Sequence, residues 1–108
     1  MKLIVKMIIF EQLKKQKMIR INCFIKVSEE NRESVLEAAK RLTVASLQQD
    51  GCIAYDIYES ATRRDVMMIC ETWRDQEALD AHSGSKVFHD EVSIMHNNAE
   101  MKLETFEM

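Results

Sequence analysis

The sequence predicts an α+β domain with the order β-α-β-β-α-β, a four-stranded antiparallel sheet carrying its helices on one face. Three observations carry that reading. Apolar residues alternate with polar ones at period two in 18–27, 52–60 and 99–108, the signature of half-buried strands. Between the first two of these, apolar residues recur at helical spacing through 29–49. The run 66–73 is apolar on both faces almost to its end, so that strand needs cover on both sides.

The elements follow in order. In "MIRINCFIKV", Ile19, Ile21, Cys23, Ile25 and Val27 alternate with Met18, Arg20, Asn22, Phe24 and Lys26, giving a first strand with one buried face. Ser28 suits a helix N-cap, because its hydroxyl can accept a backbone N–H left over by the first turn, and Glu29 and Glu30 suit the positive end of the helix dipole. Val35, Ala38, Ala39, Leu42, Ala45 and Leu47 form the apolar stripe of a helix over 29–49, which Gly51 stops in the left-handed conformation. "CIAYDIYES" is the second strand, with Ile53, Tyr55 and Ile57 on one face, and the polar "SATRRD" turns the chain into "VMMICETW". Asp75 caps a short helix, 76–83; Gly84 breaks it, and Ser85 caps another, 86–97, with Phe88, Val92 and Met95 as its stripe. "AEMKLETFEM" is the last strand. This is the split βαβ, ferredoxin-like arrangement, whose second sheet face a second copy of the chain would cover. Met18 opens the domain, 18–108, and residues 1–17 are read as an N-terminal extension.

The bulk numbers agree. A chain of 108 residues with 46% apolar and 31% charged side chains has the makings of one core. Its formal charge of −3 and scattered basic residues argue against a nucleic-acid partner, which needs a basic face. Three widely spaced cysteines, Cys23, Cys52 and Cys70, each inside an apolar run, read as buried free thiols of a reducing compartment. No run is long enough to span a membrane, and "MKLIVKMIIF" lacks a signal-peptide cleavage pattern, so a cytoplasmic location is expected.

The chemistry-bearing residues gather at the end of the third strand. Glu71 and Trp73 lie two apart and so share a face with Met67 and Ile69. On a helix-covered face Glu71 would be desolvated and its pKa raised, which suits proton transfer near neutral pH. At the rim it would instead pair with Arg74 or Arg20. Trp73 reads first as core, and His82 first as a capping residue of its short helix; their convergence with Glu71 around one turn raises all three as site candidates. His82, His89 and His96 recur every seven residues, but seven helical residues rise about 10 Å, too far for one metal ion to bind them all. Asn22, mid-strand on the face of Phe24, needs a hydrogen-bond partner, from the protein or from a ligand. Tyr55 could offer its hydroxyl to the same cavity.

The stretches "DGCIAYDIYES" at 50–60, "ICETWRDQEALDAH" at 69–82 and "SKVF" at 85–88 resemble the antibiotic biosynthesis monooxygenase family, whose members are dimeric α+β barrels. The resemblance covers 18–108 and implies a homodimer joined through its sheet faces. It also implies a monooxygenase that oxidises an aromatic, quinol-like molecule with dioxygen and needs no cofactor and no metal. In that scheme His82 or Glu71 accepts the proton, Trp73 and Tyr55 wall the substrate, with Phe88 also among its contacts, and Asn22 hydrogen-bonds a ring oxygen. Many members carry a second histidine where this chain has Val87, with His89 two residues further on. Two rival expectations are a haem-degrading enzyme using Asn22, Trp73 and a helix histidine, and a dimeric ligand-binding module without turnover.

Overall fold

The in-and-out pattern of the first strand is also the pattern of its burial. The computed structural model describes residues 17–108, so the extension expected at 1–17 lies, apart from Lys17, outside the described residues. Strand β1 (Ile19–Lys26) buries Ile19, Ile21, Cys23 and Ile25 and leaves Arg20, Phe24 and Lys26 exposed. Helix α1 (Glu29–Ser46) follows, then β2 (Cys52–Glu59), β3 (Val66–Trp73), α2 (Gln76–Ser83), α3 (Lys86–Asn98) and β4 (Glu100–Glu107). The strands lie in the order β2-β3-β1-β4, all antiparallel.

The helices cover the face that carries Ile21, Cys23, Ile25, Met67, Ile69 and Tyr55, and with α1's Val35, Ala38, Ala39 and Leu42 these residues make the core. Each fully buried aliphatic side chain contributes about 1.5–3 kcal/mol, so this layer dominates the stability of so short a chain. The opposite face carries Phe24, Tyr58 and Phe106, 40–52% exposed, with Val66, Met68 and Cys70 half-buried among them. No described helix is long and apolar enough to cross a membrane.

Four local expectations need correction. Helix α1 stops at Ser46, not at 49, and Leu47 stands 50% exposed; Thr43 and Ser46 fill the stripe in its place. Ser28 occupies the N-cap position without a side-chain bond; it is its carbonyl that accepts from Asn31 N, at 3.1 Å. Strand β2 breaks register between Cys52 and Ala54, and the extra residue, Ile53, is thrown out to 53% exposure. Of the cysteines only Cys23 is buried, and all three are free. The remaining punctuation holds: Asp75 and Ser85 accept from Ala78 N and Phe88 N, and Gly51 has φ +81°.

Candidate active site

Strand β3 presents Met67, Ile69, Glu71 and Trp73 to the helices, so the acid at its end is buried with them, 7% exposed. Across the sheet Glu71 faces Ile21 on β1 and Tyr55 on β2. Its partner is neither Arg74 nor Arg20. Glu71 Oε1 accepts the indole N–H of Trp73 at 2.8 Å, while Arg74 pairs outside with Asp50 and Asp75. Trp73 is fully buried, so that bond is made away from competing water.

His82 closes over this pair from α2. Its ring lies on the Trp73 indole (centroids 4.4 Å apart, 35° between planes), with Phe88 edge-on at 5.1 Å and Tyr55 at 5.7 Å. Nε2 of His82 stands 4.0 Å from Glu71 Oε1, and Nδ1 is 2.7 Å from Oε1 of Gln49. Gln49 belongs to the turn that ends α1, and that turn can press against α2 because of Gly51. A Cβ there would lie 2.4 Å from the Ala78 Cβ, and a side chain would also have to adopt positive φ.

Beneath the helices lies a cavity of about 290 Å³. Its floor is Ile21, Cys23, Ile69, Tyr55 and Glu71; its roof is Leu42, Leu79, His82, Phe88, Val92 and Met95. Met101, Leu103 and His96 complete it, and exposed His96 and Leu103 mark the side toward solvent. The lining is overwhelmingly apolar, and that environment sets the charge states. Desolvation raises the Glu71 pKa, and the hydrogen-bonding groups of Trp73 and Tyr55 pull it partly back. Desolvation lowers His82 to about 4, so its ring is neutral at pH 7. Burial, with the Glu71 charge adding to it, pushes Cys23 to about 12 and raises Tyr55. Both therefore stay protonated at neutral pH.

The candidates read from sequence divide accordingly. Glu71, His82, Tyr55 and Phe88 meet in the cavity. Trp73 is not part of its wall: it stands behind Glu71 and His82 and holds them. Asn22 does not reach the site at all, because alternation along β1 puts it on the opposite face of the sheet, paired in register with Cys70 and Glu104. The haem reading, which needs Asn22, Trp73 and a histidine around one group, loses that arrangement. His89 packs on Phe88 but is absent from the lining, and Val87 is absent too; the second histidine of the cavity is His96. Among the described residues no three histidine, cysteine or acidic side chains cluster as a metal site. Sequence reasoning missed Gln49, Cys23 and His96. For Cys23 the signal was available, since alternation sets it between Ile21 and Ile25 on the buried face. His96 and Gln49 arrive only through tertiary packing.

Chemically, the site is an apolar pocket in which a carboxyl and a neutral imidazole nitrogen confront each other across 4.0 Å. An ionised carboxylate and a lone-pair nitrogen are both acceptors, and such a pair is best satisfied by a guest that brings a proton.

Comparison with known proteins places the chain. The sequence pattern of the antibiotic biosynthesis monooxygenases matches residues 18–92. A Bacteroides thetaiotaomicron protein of unknown function, described as a candidate oxidoreductase, has a crystal structure that superposes with TM-score 0.85 at 56% identity, covering 86% of this chain and 99% of that one. YcnE of Bacillus subtilis, provisionally named a monooxygenase, is 31% identical over 71 residues, 66% of this chain and 75% of YcnE. The uncharacterised protein sll1783 of Synechocystis is 30% identical over 83 residues, 73% of this chain but only 56% of its own length. On these grounds the chain belongs to the antibiotic biosynthesis monooxygenase family.

Proposed function

We propose that this chain is a monooxygenase that oxidises a planar, hydroxylated aromatic of the quinol class with dioxygen inside the cavity beneath its helices. The observation that carries the reading is the opposed pair of Glu71 and His82 in an apolar pocket walled by Tyr55 and Phe88. A phenolic O–H placed against Oε1 and Nε2 would donate its single proton to one acceptor or share it between the two. Of the two, Glu71 is the proton acceptor: the same desolvation that raises its proton affinity lowers that of His82. Trp73 holds the carboxylate in place through the indole N–H, and His82 accepts a share of the hydroxyl's hydrogen bond until the proton passes to Glu71.

The phenolate so formed is electron-rich enough to reduce dioxygen itself. Overall, a hydroquinone and one O₂ give a hydroxyquinone and one water. A carbon–oxygen bond forms to one oxygen atom, the O–O bond breaks, and the second oxygen leaves as water. The substrate supplies all four electrons, so the balance closes without a flavin or an external reductant. The apolar walls serve by keeping bulk water from the reactive intermediate.

The same reading includes a homodimer. The sheet face away from the helices presents Phe24, Tyr58 and Phe106 around half-buried Met68 and Cys70, and Asn22 Oδ1 sits buried there with no hydrogen-bond partner among the described residues. A second copy laid against this face would cover the apolar side chains and could offer Asn22 a donor.

The test is an oxygen electrode and a small panel of hydroquinones and naphthols, with products counted. The reading expects one O₂ consumed per molecule oxidised and no accumulating peroxide. Binding of these compounds with no oxygen uptake above the enzyme-free rate would leave a ligand-binding module and overturn it.

A further inference from the structure

Beside Glu71, the His82 edge of the cavity favours a reduced hydroxyl over an oxidised carbonyl only if it presents a lone pair, and a neutral imidazole can equally well present N–H. We propose that Gln49 is the positioning residue that makes this choice: with Ser85 it locks His82 into the Nδ1–H tautomer. The site then accepts hydrogen bonds from a hydroxyl substrate and repels the carbonyl of a quinone product.

Counting protons assigns the tautomer. Ser85 Oγ lies 2.7 Å from the carbonyl oxygen of His82; a carbonyl cannot donate, so the single hydroxyl proton lies between them. That oxygen can then only accept, as it does from Phe88 N at 3.3 Å. The Gln49 amide reaches the same oxygen at 3.3 Å and must do so with its NH₂. Its carbonyl oxygen is thereby turned to His82 Nδ1, at 2.7 Å, and a carbonyl oxygen at that distance requires the proton to be on Nδ1. Nε2 is left with its lone pair, facing Glu71 Oε1 across the cavity. Flipping the amide would turn its carbonyl oxygen onto Ser85 Oγ, whose proton is already given to the His82 carbonyl, and so put two acceptors together there. Gln49 does not itself line the cavity; it lies in an outer cleft with Asp50, Arg74, Glu77 and Ala78, and His82 separates that cleft from the cavity.

The identity of the guest rests on the quinol reading, but the tautomer does not, and the experiment separates them. Protein with ¹⁵N-labelled histidine, free of ligand at pH 7, is compared with Gln49→Leu and with Gln48→Leu, an exposed neighbour in the same turn, by long-range ¹H–¹⁵N correlation of the His82 ring. The wild type and Gln48→Leu should show a pyrrole-like Nδ1 and a pyridine-like Nε2. Gln49→Leu should shift toward the Nε2–H form that free imidazole side chains favour. Gln49→Glu preserves the shape and the acceptor, so it should keep the tautomer. It should also raise the His82 titration midpoint by about one unit or more, as a carboxylate against an imidazole does. The groups around His82 that could add to that shift are Glu71 on β3, Tyr55 on β2, His96 on α3, and Asp50, Glu77 and Arg74 at the cleft; they are common to all variants.

Binding supplies the second readout. Wild type should bind 1-naphthol at least ~10-fold more tightly than 1-tetralone, a loss of one well-made hydrogen bond, and Gln49→Leu should narrow that ratio several-fold. A pyridine-like Nδ1 in the wild type, or a tautomer and binding ratio unmoved by Gln49→Leu, overturns the proposal. Absence of oxygen uptake with the tautomer and ratio as stated would count against the reaction alone.

Discussion

Replacing the chain's only tryptophan tests whether Glu71 is held as described. Trp73→Phe removes the donor of a 2.8 Å bond to a buried carboxylate and vacates part of a fully buried site. A hydrogen bond to a charged group contributes ~1.5–3 kcal/mol. The vacated volume costs a further ~1–2 kcal/mol, so the substitution should destabilise the protein by about 2.5–5 kcal/mol in all. The two parts can be separated in a Glu71→Leu background, where no acceptor remains and the cost should be at most the ~1–2 kcal/mol of packing, less what is regained by removing the orphaned N–H. Urea unfolding followed by far-ultraviolet circular dichroism gives all four corners of the cycle, since fluorescence is lost with the tryptophan. A cost equal in both backgrounds to within ~0.5 kcal/mol would mean that the indole N–H does nothing for Glu71, and the account of the carboxylate would fall with it.

Acid should weaken the fold through His82. Its pKa is about 4 in the folded chain against 6.5 for an unperturbed histidine, so the unfolded state gains the proton first. The contribution is whole above pH 6.5 and is lost as pH falls toward 4. At 1.36 kcal/mol per unit this approaches ~3 kcal/mol, and the cavity's access to solvent reduces it to ~2 kcal/mol. Glu71 has the opposite linkage: its raised pKa makes its contribution largest in acid, and that contribution is lost as pH rises through the folded value. The measurement therefore belongs in a Glu71→Gln background, where urea midpoints at about pH 7 and about pH 4.5 should differ in the His82 protein and converge in His82→Gln. For the sheet face, sedimentation equilibrium at micromolar concentration should give a dimer, and Phe24→Glu should give a folded or unfolded single chain. A wild-type protein that stays single, compact and stable would remove the dimer.

Much of this molecule is legible in its sequence. Alternation locates the strands with one wet face, because such a strand has no other way to be written, and Asp75, Gly84 and Ser85 separate the two short helices. It also fixes which residues share a face, and so puts Glu71 and Trp73 under the helices with Met67 and Ile69. Partners are another matter. The polarity of Asn22 suggests a ligand contact, but face parity sets it with Phe24, away from the cavity, and parity is the stronger constraint. Trp73 has the area of a cavity wall and is a support, a difference that depends on where the indole nitrogen points. Helix α1 reads too long in the sequence because hydrophobicity alone counts Leu47 into its stripe, whereas Thr43 and Ser46, polar in sequence, are the residues packed inside. Gln49 and His96 reach the site by tertiary approach, through the contact at Gly51 in one case and along α3 in the other. No spacing in the chain announces either.

The central claim is that Glu71 takes a phenolic proton in the cavity. It is tested most directly by oxygen uptake under saturating hydroquinone with wild type and Glu71→Gln. The amide keeps the shape and can still accept the Trp73 N–H, so folding and binding should persist. The account predicts a turnover number at least ~100-fold lower, the usual worth of a general base. Turnover by Glu71→Gln within a factor of about two of wild type, where general-base loss should cost far more, would contradict it.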